Sequence, residues 1–190
     1  MKKACIISPI DGDTRLMNTA NRLTLFRICL VPVCMVLLYL DFPGSNWAGM
    51  CVFIIASLTD LADGHIARTY HQISNFGKFM DPLADKMLVL SAMCWLVDAG
   101  RVYGWILAVV LVREFAVSGL RLLAVEQGRV IAAGWSGKVK TTASMIAICF
   151  LMVLDWRWLN LLSQATILVT TVDSGAEYLL KNRDVFLEKE

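Results

Sequence analysis

The chain has 190 residues, 57% of them hydrophobic, and a formal net charge of only +2. That apolar share exceeds the roughly 45–50% of an ordinary soluble domain and points to lipid. So small a net charge excludes a nucleic-acid binder, which carries a concentrated basic face. The six cysteines are scattered, with no C-x-x-C pair and no histidine cluster, so they form neither a zinc site nor a disulfide framework and read as small buried thiols.

In chain order, the N-terminal segment carries Lys2, Lys3, Asp11, Asp13 and Arg15. It lacks the apolar core and cleavage site of a secretory signal, and neither end carries a lipidation motif. Six apolar runs then follow, each near the roughly 20 residues that cross a bilayer core as a helix. They cover about Leu23–Leu40, Trp47–Tyr70, Phe79–Val97, Tyr103–Val125, Gly137–Leu154 and Leu159–Leu180. Asp41–Asn46, Asp98–Val102 and Asp155–Trp158 read as short turns between them. The expected fold is an all-α membrane protein with six transmembrane helices over residues 21–182, between tails at 1–20 and 183–190.

With the N-terminus inside, Arg101 and Arg157 are the only basic residues on the outer side of 18 in all. The positive-inside rule therefore puts both termini in the cytoplasm. Trp47, Trp105, Trp156 and Trp158 fall near the outer ends, where indole rings favour the headgroup layer. The outer turns leave no room for an extracellular domain, so any chemistry belongs to the inner side.

The second and third helices carry the unusual residues. Asp60, Asp63, Gly64, Ala67 and Arg68 fall within an arc of roughly 140° at about 100° per residue. Gly77, Asp81 and Asp85 form an i, i+4, i+8 stripe on the following helix. A short connection makes the two helices antiparallel neighbours, so both stripes can face one cleft. An intramembrane aspartate costs about 2.5–3.5 kcal/mol at a helix centre, and four together repel. Either several are protonated or cations hold them; two divalent ions would balance four carboxylates. All-oxygen ligands select Mg²⁺ or Mn²⁺ over zinc. Paired metals clamping a diphosphate, with a spare carboxylate to take a proton, suit phosphoryl transfer. An ion pathway in a transporter uses intramembrane acids too, and the acids alone leave both readings open.

The full pattern is D-x-x-D-G-x-x-A-R-x8-G-x-x-x-D-x-x-x-D from Asp60 to Asp85. In every defined position it resembles the signature of the CDP-alcohol phosphotransferases. Asn21–Arg27, Gly77–Lys86, Arg113–Arg121, Gly137–Thr141 and Gly175–Tyr178 also fit that family, so the resemblance runs from about Met17 onward. It implies a six-helix CDP-alcohol phosphotransferase-like bundle in a bacterial cytoplasmic membrane, with the active site on the cytoplasmic side. It implies transfer of the phosphatidyl group of CDP-diacylglycerol to sn-glycerol 3-phosphate, with two Mg²⁺ or Mn²⁺ ions, membrane lipids around it and a homodimeric assembly. Inositol phosphate, serine or a lipid as acceptor is the near alternative.

Carried over by position, the resemblance makes Asp60, Asp63 and Asp81 metal ligands. Asp85 becomes the general base, which can also touch a metal. Asn21, Thr24, Gly64, Ala67, Arg68 and Gly77 line the CDP-diacylglycerol site, and Arg27 either assists there or anchors at the interface. The acceptor phosphate needs cations, for which Arg113, Arg121, Lys138 and Lys140 are the candidates; pairing of Arg113 with Glu114 is the bland alternative. Lys78 and Lys86 flank the acids and either act there or serve as inner-surface anchors, and His65 and His71 read as surface or packing residues. Pro82 either kinks the third helix or lies in its first turn.

Overall fold

A computed structural model of the chain describes residues 19–40, 42–70, 75–126, 131 and 134–183, with side chains at 25–40, 42–59, 83–84, 86–125, 131 and 134–183. These residues form α1 (Thr19–Tyr39), α2 (Ser45–Tyr70), α3 (Asn75–Asp98), α4 (Gly104–Glu126), α5 (Trp135–Val153) and α6 (Arg157–Lys181), with no strand among them. Each of the six apolar runs is a helix. The largest boundary changes are at the starts of α1 and α3, which reach further into polar sequence than hydropathy marks. Helical hydrogen bonding continues past the point where side chains turn polar. Because α3 starts at Asn75, Pro82 lies two turns inside it, and the first-turn reading of that proline does not hold.

α1 and α2 form an antiparallel hairpin. Gly44, at φ 93°, makes the turn in the left-handed region that favours glycine. Close approach is set by Gly49, where a Cβ would come 2.4 Å from Leu38 Cδ2. Cys34 Sγ donates to the Gly49 carbonyl at 3.4 Å along the same seam. α3 packs across α1, α5 bridges α2 and α6, and α6 lies against α4. Every helix contributes to one core, among others through Leu38, Phe53, Leu96, Val110, Ile148 and Ile167. A smaller cluster at the opposite end joins Val117, Leu120 and Ala124 of α4 to Tyr178 of α6.

The end carrying the short turns is latched by polar contacts. Arg101 Nη1 donates to the carbonyls of Leu151 and Met152 at 2.7 Å each, satisfying oxygens left open at the α5 terminus. Its guanidinium lies 5.5 Å from the centre of the Trp95 ring, and Gln164 Nε2 donates to the Arg101 carbonyl at 3.1 Å. The Tyr39 hydroxyl donates to the Asp98 carboxylate, tying α1 to α3.

The outward faces are apolar, including Val112, Phe115, Leu122, Leu162 and Val169. Among the described residues, Trp135–Val153 is the one helix that is long and apolar enough to cross a membrane by itself. Leu25–Tyr39 of α1 and Ser45–Thr59 of α2 are further apolar stretches among the described residues.

Candidate active site

The inward faces of α2 and α3 can be followed by helical register. On α2, the buried positions Gly49, Phe53 and Ala56 share one arc. At about 100° per residue, positions 60, 63, 64 and 67 continue that arc to within about 30°. On α3, the buried positions Ala84, Leu88 and Ala92 define a second arc, and positions 81 and 85 fall within or beside it. The side chains of Asp60, Asp63, Gly64, Ala67, Arg68, Gly77, Asp81 and Asp85 lie outside the described residues. So do those of Asn21 and Thr24, in the first turns of α1, and those of His65 and Lys78; His71 lies outside as well.

Arg27 sits on α1 and is 1% exposed, so it is drawn into the bundle and does not anchor at the interface. The contacts of Cys34 and Leu38 with Gly49 set the register of the hairpin. Counting inward equally along both helices places Arg27 level with residues 56–60 of α2.

A cluster of charged groups joins α3, α4, α5 and α6. Glu114 Oε1 accepts from Lys140 Nζ at 2.5 Å and from Arg113 Nη1 at 3.0 Å. Lys86 Nζ stands 4.0 Å from Glu114 Oε2 and donates to Ser118 Oγ. Ser118 in turn donates to the Glu114 carbonyl at 2.6 Å. Arg113 Nη2 donates to Ser174 Oγ at 3.0 Å, while Arg113 Nε is buried without a hydrogen-bond partner. Small residues make room for this arginine: a Cβ at Gly175 would come 3.1 Å from Arg113 Cγ, and one at Gly137 would lie 4.0 Å from Nη2. The Lys140 and Glu114 side chains are 6% and 15% exposed. Removing one partner of so buried a pair normally costs about 3–5 kcal/mol.

Of the four cations expected at an acceptor site, the structure brings Arg113 and Lys140 together. Arg121 and Lys138 stand apart. Arg121 is exposed, and its Nε donates to the Tyr178 hydroxyl at 3.0 Å with the guanidinium 5.4 Å from that ring. Lys138 is also exposed, 5.8 Å from the Trp135 ring centre. The Arg113–Glu114 pair does form, but as part of a larger group. Lys86 reaches from α3 to α4 instead of serving as a surface anchor. Sequence reasoning weighed Glu114 as a partner of Arg113 but did not bring Lys86 or Lys140 to it. The available signal was a glutamate within an apolar helix, which needs cations drawn from other helices.

The CDP-alcohol phosphatidyltransferase family matches residues 17–172. A Bacillus subtilis (strain 168) protein described as a CDP-diacylglycerol–glycerol-3-phosphate 3-phosphatidyltransferase is 39% identical over 186 residues, covering 88% of this chain and 96% of the relative. A Salmonella choleraesuis (strain SC-B67) protein with the same description is 37% identical over 183 residues, covering 90% and 98%. One from Shigella flexneri serotype 5b is 37% identical over 163 residues, covering 82% and 87%.

Proposed function

The chain belongs to the CDP-alcohol phosphatidyltransferase family, and on that footing we propose that it transfers the phosphatidyl group of CDP-diacylglycerol to sn-glycerol 3-phosphate. The observation that carries the acceptor assignment is the half-buried cluster of Arg113, Lys140 and Lys86 around Glu114. Among the described residues, Arg113 and Lys140 both meet the one Glu114 carboxylate, so the cluster suits an acceptor that brings negative charge of its own, and a phosphomonoester carries about −1.5 to −2 near neutral pH.

The donor end rests on the acids of α2 and α3. Asp60, Asp63, Asp81 and Asp85 form an all-oxygen donor set suited to two hard divalent cations, Mg²⁺ or Mn²⁺. When bound, such ions neutralise a diphosphate and polarise its phosphorus. Arg68 supplies a planar fork to a phosphate oxygen, and Gly64, Ala67 and Gly77 leave room for the nucleotide beside Asn21 and Thr24. Arg113 and Lys140 hold the acceptor phosphate, while the exposed Arg121 and Lys138 stay outside that cluster. The 1-hydroxyl of the acceptor attacks the β-phosphorus of CDP-diacylglycerol, and Asp85 takes its proton. The new phosphorus–oxygen bond forms as the anhydride bond to CMP breaks. CMP leaves with that electron pair, and phosphatidylglycerol phosphate remains in the bilayer.

The apolar outward faces support a lipid surrounding for these helices, since monomeric soluble proteins rarely expose large contiguous apolar patches. Trp47, Trp105, Trp156 and Trp158, all exposed at one end of the bundle, form the outer aromatic belt. We read the protein as a multi-pass protein of the bacterial cytoplasmic membrane with both termini and the site on the inner side; the family resemblance supports a homodimer. Lipid tails enter sideways from the bilayer while the polar acceptor arrives from the cytoplasm.

The test is CMP release by purified protein given Mg²⁺, CDP-diacylglycerol and, in turn, glycerol 3-phosphate, inositol phosphate, serine or a lipid acceptor. Release with glycerol 3-phosphate and formation of phosphatidylglycerol phosphate are expected. Release only with another acceptor would reassign the substrate. Solute uptake into proteoliposomes without CMP under any condition would favour a transporter.

A further inference from the structure

We propose that Glu114 is the positioning residue of the acceptor site. Its one carboxylate gathers a cation from each of α3, α4 and α5 and holds them ready for a phosphomonoester dianion. The inference rests on the acceptor reading above and assigns a new role to a residue outside the acid motif.

The geometry distinguishes this from an ordinary ion pair. A buried carboxylate needs one good cationic partner, yet Glu114 has Lys140 and Arg113 on the same oxygen and Lys86 beside the other. Held close without that carboxylate, the three cations would repel one another in a low-dielectric bundle. With it Arg113 and Lys140 stay together, two cations on one carboxylate oxygen. Donor capacity also remains. Arg113 spends Nη1 on Glu114 and Nη2 on Ser174, but its buried Nε has no hydrogen-bond partner. An ammonium has three protons, so Lys140 keeps donors beyond the one directed at Glu114. An incoming phosphate can therefore bind while Glu114 keeps hold of both side chains.

Position matters as much as charge. α3 packs on α4 and α5 far less closely than α1 packs on α2 or α5 on α6. The polar link from Lys86 to Ser118 and Glu114 is a direct connection across the α3–α4 gap. Lys86 directly follows Asp85 in the chain. Glu114 thus ties the acceptor cations to the helix that carries the proposed base, and so sets the distance from phosphate to attacking hydroxyl. Misplacement by about 1 Å can cost 100-fold in rate.

The experiment compares wild type, Glu114→Gln and Glu114→Asp as purified full-length protein with Mg²⁺. Two readouts are used: steady-state CMP release with each substrate varied, and thermal stabilisation by inorganic phosphate and by glycerol 3-phosphate. In Glu114→Gln, the KM for glycerol 3-phosphate should rise about ten-fold or more while that for CDP-diacylglycerol changes less than two-fold. Stabilisation by both phosphate compounds should largely disappear. Glu114→Asp, which keeps the charge on a shorter stem, should recover part of both. A merely structural glutamate would lower the melting temperature and shift both KM values in parallel, and that result overturns the proposal. So does a Gln variant with unchanged acceptor KM, or wild type that no phosphate compound stabilises. If Glu114→Gln fails to fold, Glu114→Asp is judged by the same split between the two KM values. Wild type stabilised by phosphate but inactive with glycerol 3-phosphate would remove the substrate assignment. The role of Glu114 would then be decided by the phosphate titration alone.

Discussion

Replacing Lys140 by Gln separates an acceptor-binding lysine from a nearby surface lysine. Lys140 Nζ lies 2.5 Å from Glu114 Oε1, with its side chain 6% exposed. Its loss does not orphan the carboxylate, because Arg113 remains at 3.0 Å and Lys86 at 4.0 Å. The stability cost is therefore about 1–3 kcal/mol, below the roughly 3–5 kcal/mol of a buried charge left wholly unpaired. A hydrogen bond to a charged group contributes about 1.5–3 kcal/mol. At about 1.4 kcal/mol per decade, kcat/KM for glycerol 3-phosphate should fall about 10- to 150-fold. The KM for CDP-diacylglycerol should stay within about two-fold. Lys138→Gln is the matched control, since this lysine is exposed beside Trp135; surface changes usually stay within about 0.5 kcal/mol, near two-fold. CMP release under varied acceptor, with thermal unfolding in parallel, measures both variants. Equal losses in the two, or an equal rise in both KM values for Lys140→Gln, would refute the reasoning.

Asp85→Asn should reduce turnover by about 10²-fold or more while CDP-diacylglycerol binding persists. Asp60→Asn should also raise the Mg²⁺ concentration needed for half-maximal activity; normal turnover in both would remove the assigned roles. Gly49→Ala brings a Cβ to 2.4 Å from Leu38 Cδ2 and should destabilise by about 1–3 kcal/mol, with recovery in Gly49→Ala/Leu38→Ala on thermal unfolding. Gly175→Ala places a Cβ 3.1 Å from Arg113 Cγ and should raise the acceptor KM several-fold. Gly119→Ala, with nothing within 4 Å of its Cβ, should leave that KM unchanged. Arg101→Leu removes both 2.7 Å bonds to the α5 terminus. It should cost about 1–3 kcal/mol without altering either KM, as read by unfolding and CMP release together.

Residues close together in the chain determined six helices, their turns and the acid motif. Apolar runs of spanning length, glycines such as Gly44 and the spacing from Asp60 to Asp85 are all local features. Helix ends were less legible, because hydropathy stops before backbone hydrogen bonding does, as at Asn75. Only the tertiary structure decided which charges meet. Lys86 finds Ser118 across 32 residues, Lys140 finds Glu114 across 26 and Arg113 finds Ser174 across 61. It also turned Arg27 inward and kept Lys138 and Arg121 out of the cluster. Such pairings depend on how far each helix is rotated and slid against its neighbours. Packing of small residues such as Gly49 and Gly175 controls that rotation, and no local pattern in the chain encodes it.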